Sequence, residues 1–305
     1  MSTPRLAFYY EDVRRIHRSD GPPLYHSYNA KKLFGADNAR HLLPDGKWDN
    51  LGKFDYHFWV DWGEDALMPH LPYKPVSPPH PNINITSDTH LGYDYRLSRA
   101  RDFDWVFCNQ VRAVYEFQRD GIPKDRLAWL PHAFEPDAYP KLDVLNRYDV
   151  AFIGNMNGWN RVGFLDTMFK AFPNFFFGKR LFEEAAEVYA ASKVCLNISI
   201  LDDINMRVFE VLGAGGFLLT NKLDNLDLLF KDGVHLVTYD NPQDAVEKAR
   251  YYIEHEDERK AIAEAGHKEA MAKHTYMHRL KKVCDIVGIP YKEPAKEPAI
   301  AGGVK

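Results

Sequence analysis

At 305 residues the chain has room for two domains, and 45% hydrophobic with 27% charged residues is a globular composition with apolar material for two cores. A formal net charge of −4 argues against a dominant electrostatic footprint for nucleic acid or an anionic membrane. No apolar run nears the roughly 20 residues that span a bilayer, and the opening MSTPRLAFYYEDVRR lacks the pattern of a signal peptide, so the expectation is a cytoplasmic protein.

In chain order, the first half holds short strand-like runs, RLAFYY, FDYHFWV, NINITS, DWVFCN and LAWLPH, with helix-like stretches SYNAKKLFG and QVRAVYEFQRDG between some of them. The aromatics around the second and third runs, Trp59, Trp62, Tyr93 and Tyr95, read as core. LPHAFEPDAYPKLDVLNRYD follows, and its three prolines (Pro131, Pro136, Pro140) oppose a regular helix or a central strand, marking a joint. The second half alternates more cleanly: YDVAFIGN, NRVGFLDTMFKAF, NFFFGK, LFEEAAEVYAAS, VCLNIS, a helix over INMRVFEVLGAGG, then FLLTN and VHLVTYD. Such alternation predicts parallel sheets built from βαβ units, hence an α/β protein with two Rossmann-like domains. The expected division is 1–140, 141–273, a C-terminal helix over 274–288 that crosses back to the first domain, and a disordered Pro/Lys/Glu-rich tail over 289–305. Cys108, Cys195 and Cys284 lie far apart and outside any CxxC pair, so they are expected to be reduced thiols.

The segment INMRVFEVLGAGGFLLTN, 204–221, carries the strongest chemical signal. With Asn205 as N-cap, Val208, Phe209, Val211 and Leu212 face a core, while Arg207, Glu210 and Ala214 form a stripe on the other side. Gly213, Gly215 and Gly216 permit a left-handed exit and close approach of the next strand. A guanidinium beside a helix start suits a diphosphate, and a carboxylate one turn later suits a ribose diol. The competing reading is an exposed intrahelical ion pair ended by glycines.

LDDINMRVFEVLGAGGFLLTN, the segment after it and the HTYMHR element together resemble the C-terminal half of group-1-like glycosyltransferases, most nearly the spore-maturation-protein-B-like members. That resemblance implies a GT-B fold, α/β with two Rossmann-like domains and a cleft between them. The second domain would bind a nucleoside-diphosphate sugar and the first an acceptor, which stays unidentified. Asp202 and Glu210 keep the family's spacing of two acidic residues, with aspartate in place of the usual glutamate at the first. The resemblance carries the ribose role to Glu210 and a sugar contact to Asp202, and it favours retention of configuration.

Further donor-side candidates are Gly154 and Asn155 in GNMNGWNR, Arg161 toward the phosphates, and Lys179 at a strand end. On the acceptor side SDTH presents Asp88 and His90 as candidate catalytic groups, with Asp61 a weaker base and His132 read as linker packing. Asp102 and Asp104 form a DxD pair, but one that precedes a strand, so no metal is expected; Arg207, Arg161 and helix amides would neutralise the leaving group. No cofactor is expected beyond the sugar nucleotide as co-substrate. Two alternatives remain at this point: a sugar-nucleotide epimerase on the same fold, and a non-catalytic sugar-nucleotide-binding protein.

Overall fold

The computed structural model describes residues 2–11, 21–49, 52–61, 63, 68–156, 161–201 and 203–293. Asp202 and Trp62 therefore lie outside the described residues, as do 157–160 of the GNMNGWNR loop. The first domain is a six-stranded sheet of order β2-β1-β3-β4-β5-β6, every pair parallel. Its strands are β1 (Leu6–Tyr9), β2 (Ala39–Leu42), β3 (Tyr56–Val60), β4 (Asn82–Thr86), β5 (Trp105–Cys108) and β6 (Leu127–Trp129). The helices α1 (Pro22–Phe34), α2 (Tyr93–Ala100) and α3 (Val111–Arg119) cross between them. β3 and β4 are buried along almost their whole length, as a sheet covered on both faces requires, and in β4 the burial includes Asn82, Asn84 and Thr86 of the alternating run NINIT. β2, with sequence ARHL, is an edge strand with partly exposed residues and no apolar pattern, so periodicity does not reveal it.

The second sheet runs β11-β10-β9-β7-β8, again wholly parallel. It comprises β7 (Tyr148–Ile153), β8 (Phe175–Gly178), β9 (Ser192–Asn197), β10 (Leu218–Asn221) and β11 (Val237–Tyr239). Around it lie α4 (Arg161–Ala171), α5 (Phe182–Ala190), α6 (Met206–Gly213), α7 (Pro242–Glu254) and α8 (Glu256–Lys273). Two parallel-sheet α/β domains with helices form the GT-B architecture that the sequence implied. The three cysteines are free and buried, and burial pushes each thiol's proton affinity up, which makes them inert core residues. Trp59 is fully buried and Tyr93 packs against the first core, as the aromatic pattern predicted.

The chain between β6 and β7 contains no helix or strand, in keeping with its prolines. It is nevertheless tightly held. Phe134 pairs with Thr275 as an isolated parallel bridge, and its ring lies so close to α6 that a Cβ on Gly213 would come within 2.2 Å of it. Gly213 thus serves the linker, whereas Gly215, at φ +80°, makes the left-handed exit. Ala214 is also buried rather than part of an open stripe.

The HTYMHR element turns out to be the return crossing. Thr275 caps α9 (Tyr276–Val287) through a reciprocal capping box with His278. α9 packs on α1, and Leu280, Val283 and Cys284 join the first domain's core. The chain stays packed beyond the helix: Ile289, the first residue of the expected tail, is 2% exposed and in the same core. Arg279, buried with no carboxylate partner among the described residues, donates its guanidinium to carbonyls of the linker, with Nε to Pro131 O at 2.7 Å and Nη2 to His132 O at 2.8 Å. Burial lowers its proton affinity to about 10, so it stays charged at neutral pH and clamps both chain crossings at one point.

Candidate functional site between the two sheets

Parallel strands converge their carboxyl ends on the gap between the domains, where the loops that follow them line a cleft of about 570 Å³. Asp61 follows β3, Ser87 and Asp88 follow β4, and His132 lies just beyond β6; across the gap Gly154 and Asn155 follow β7, and Lys179 follows β8. The start of α6 contributes Asn205, Met206, Arg207 and Glu210.

The second-domain wall is basic and rigidly framed. Arg207 donates from Nη1 to Asn197 Oδ1 at 2.8 Å and stacks its guanidinium 4.9 Å from the Phe152 ring centre. Asn197, fully buried at the end of β9, is itself locked by donation to Thr220 Oγ1 and Ser199 Oγ at 3.0 and 3.1 Å. A Cβ at Gly154 would lie 2.6 Å from Arg207 Nη2, so glycine is what leaves room for the guanidinium beside β7. Asn205 occupies the N-cap position as expected, but its side chain donates to Ser199 Oγ and Asn197 Oδ1 at 3.0 and 3.3 Å and makes no capping bond. The start of α6 therefore faces the cleft without a side-chain cap, and its dipole favours an anion there.

Arg161 lines the same wall, though its hydrogen bonds differ from a direct phosphate clamp. It donates Nε and Nη2 to Ile198 O at 3.1 and 2.6 Å and Nη1 to Asn155 O at 3.3 Å. Burial first, then the charge of Arg207, bring its proton affinity down to about 10. Arg161 therefore remains charged at neutral pH, and both guanidiniums flank Phe152, with no carboxylate among Arg161's hydrogen-bond acceptors in the described residues. Arg161 thus shapes the Asn155 loop and supplies field, while Arg207 has the more open group. Lys179 is exposed at the cleft mouth beside Arg180. Glu210, 9% exposed, lies one turn behind Arg207, with the buried hydroxyl of Tyr189 close to both charges.

The first-domain wall carries carboxylates. Asp61 is committed internally: it accepts from the backbone of Gly63 and Ser87 and pairs with buried Arg96 at 3.3 Å. That explains its burial without a catalytic role. Asp88 stands on the wall in a left-handed conformation, φ 50°, with its carboxylate in no hydrogen bond or ion pair among the described residues. His90 is not among the cleft-lining residues. Its Nδ1 meets Gln110 Nε2 at 2.9 Å, and the same amide reaches Asp203 Oδ1 of the opposite domain at 3.1 Å. SDTH therefore splits: Asp88 reaches the cleft, and His90 acts through Gln110 on its far lip.

Asn197, Gln110, Asp203 and Tyr189 were not visible as site residues in the sequence. A polar asparagine ending the apolar VCLN run was the one usable signal. The DxD pair lies at the amino ends of the strands, the wrong end for the cleft. Asp104 binds Asn82 N and His80 Nδ1, each at 2.9 Å, and Asp102 accepts from Ser77 Oγ at 3.1 Å, around a more open depression of about 670 Å³. Among the described residues, no helix is long and apolar enough to cross a membrane.

This cleft between two facing parallel sheets is that of the GT-B class. Residues 138–285 match the model of a family described as glycosyl transferase-like. The chain is similar in fold to HepE from Anabaena solved with UDP and glucose, at 12% identity over 93% of this chain and 99% of that one, with a TM-score of 0.67. Sucrose-phosphate synthase from Thermosynechococcus elongatus (9% identity, 93% and 98% covered, TM-score 0.60) and a glycosyltransferase from Rickettsia africae (8%, 94% and 99%, 0.60) share it. No curated protein matches the chain by sequence. The family match and the two-domain fold together support a glycosyltransferase.

Proposed function

We propose that the protein transfers a sugar from a nucleoside-diphosphate donor to an acceptor hydroxyl, with the donor on the second-domain wall and the acceptor on the first. The observation that carries this reading is the grouping of Arg207, the uncapped start of α6 and Glu210 on one wall of an interdomain cleft. The diphosphate lies against Arg207 and the helix start, where negative charge grows as the sugar departs; a fixed guanidinium in a partly dry cleft stabilises that charge more than the ground state. Glu210 accepts from the ribose hydroxyls. UDP is the nucleotide to test first, since HepE was solved with it.

The charge already present on this wall supports leaving-group stabilisation without a metal. The resemblance to retaining enzymes of the spore-maturation-protein-B-like kind supports attack on the leaving-group face, with the acceptor's proton passing to the departing phosphate. Asp88 is the group nearest in kind to an acceptor contact, and His90 is a positioning residue behind it.

The test is turnover of a panel of UDP-, GDP- and ADP-linked hexoses, with products resolved by mass and by anomeric proton spectra. Nucleotide release with a new glycosidic bond, or with free sugar when water is the acceptor, is the expected result. Isomerised donor without release would identify an epimerase instead. Tight binding without either product would identify a non-catalytic binder.

A further inference from the structure

Among the described histidines, His132 combines three properties that the others do not share. It lines the cleft, it is 6% exposed, and its Nδ1 is buried with no hydrogen-bond partner. Histidines kept for packing show a different pattern. His57 is bonded through Nδ1 to the Tyr9 hydroxyl at 2.9 Å, and His278 closes the capping box of α9. His26 and His274 each have an orphaned nitrogen too, but neither lines the cleft.

The backbone and the ring of His132 are treated in opposite ways. Arg279 fixes the carbonyl from Nε at 3.1 Å and from Nη2 at 2.8 Å, so the Cα cannot drift. Among the described residues nothing holds Nδ1 in return. A buried polar group left unpaired inside a fold is uncommon and calls for a reason. The charged and titratable groups around the ring come from every side: Asp61, Asp88 and Asp203 among the carboxylates, Arg279 from α9 and His26 from α1. Burial is the largest influence on the imidazole and holds it neutral against the pull of those carboxylates. A neutral imidazole keeps one N–H to donate.

We propose that His132 contacts the acceptor, donating an imidazole N–H to the oxygen of the attacking hydroxyl and fixing that oxygen between the two walls. The inference rests on the donor-site reading above and adds the group that positions the nucleophile. In the step, the hydroxyl oxygen bonds to the anomeric carbon as the bond from that carbon to the diphosphate oxygen breaks. The electron pair leaves with the diphosphate, and the hydroxyl proton passes to the departing phosphate oxygen. His132 neither gains nor loses a proton over the cycle. Its location just past β6 puts it on the acceptor side, facing Asp203 of the donor domain, so domain closure sets its distance to the sugar.

Water serves as the acceptor in the test, which removes the need to know the natural one. The nucleotide sugar that the wild-type protein hydrolyses fastest in the panel above is the probe. Loss of a positioning contact costs on the order of 30-fold or more in rate, so His132→Leu is expected to fall by that much while its affinity for the free nucleoside diphosphate stays within about twofold. His132→Gln, whose amide also donates, is expected to recover to within about fivefold of wild type. A His132→Leu protein that hydrolyses at the wild-type rate overturns the proposal. So does equal loss in both variants with nucleotide affinity intact, since a donor contact would then not be the function. Loss of nucleotide binding in either variant assigns His132 to the fold or to the donor and equally overturns it. A wild-type protein that binds no nucleoside diphosphate, or turns over no sugar nucleotide, contradicts instead the donor-site reading beneath it.

Discussion

The two walls of the cleft are built by the same kind of sheet and yet follow different logics. On the second-domain wall the functional groups are packed into one helix start and the adjoining strand ends, and the two arginines are held in place: Arg207 by buried Asn197 and Phe152, Arg161 by the carbonyls of buried Ile198 and of Asn155. On the first-domain wall Asp88 and His132 come from separate strand ends, and each keeps a polar group with no partner among the described residues. A preorganised wall suits a ligand part of constant shape, the nucleoside diphosphate. A wall with uncommitted groups suits a nucleophile that arrives from solution. Holding charge in place before the reaction is what lets it stabilise a transition state without reorganising.

The sharpest way to break this comparison is at Arg207. Removing one preorganised electrostatic donor costs about 10²–10³ in turnover. Arg207→Ala is expected to lose turnover on that scale and donor affinity by much less. Equal losses in steady-state kinetics and in binding would make Arg207 a uniform binding group and remove the transition-state claim.

Glu210 comes next. Hydrogen bonds to a charged group contribute about 1.5–3 kcal/mol, so Glu210→Ala is expected to weaken nucleoside-diphosphate binding by roughly 10- to 150-fold. Calorimetric titration of the folded variant reads this directly, and unchanged affinity would end the ribose assignment.

The joint between the walls gives a third test, through acid. His26 is held at about 3, below its ordinary 6.5, by burial first and by the positive charge of Arg279 after it. The unfolded chain therefore binds a proton that the folded chain refuses. Stability from this group is complete above pH 6.5 and is lost as pH falls from there toward 3, with a slope of about 1.4 kcal/mol per pH unit. His274, lowered to about 4 by burial and Arg279, adds to the loss in the same direction. Urea midpoints at pH 7 and pH 5 are expected to show a shallower decline in His26→Phe than in wild type. Identical declines would place the acid sensitivity elsewhere.

The smallest effect is expected at His90, which touches the cleft only through Gln110 and Asp203. His90→Ala should slow transfer by no more than about tenfold, as a small misplacement of a supporting group does, and leave nucleotide affinity unchanged. A loss as large as that of Arg207→Ala would return His90 to the reacting centre.

The same contrast explains what could be read in advance. The two domains, the joint between them and the crossing helix were legible because apolar runs and helical stretches alternate along the chain, and Pro131, Pro136 and Pro140 interrupt them between the two blocks. Arg207 and Glu210 were legible because three residues of one helix fix their relation. Asp88 could be named from a strand end facing a cleft. His132 could not be separated from linker packing, since its neighbours Asp61, Asp88 and Asp203 are up to 71 positions away and only the fold brings them together. Gln110 and Asn197 were hidden for a related reason: an amide acquires a role from what it bridges, and no local spacing announces a bridge. ARHL and the DxD pair show the reverse, a strand without a pattern and a pattern on the wrong end of the sheet.

The central claim is that nucleotide recognition belongs to the second-domain wall alone. Calorimetric titration of UDP into wild type, Glu210→Ala and Asp88→Ala tests it in one series. The account predicts measurable binding by wild type, an affinity at least about tenfold weaker in Glu210→Ala, and wild-type affinity in Asp88→Ala. Equal weakening in the two variants, or full affinity in Glu210→Ala, would contradict it.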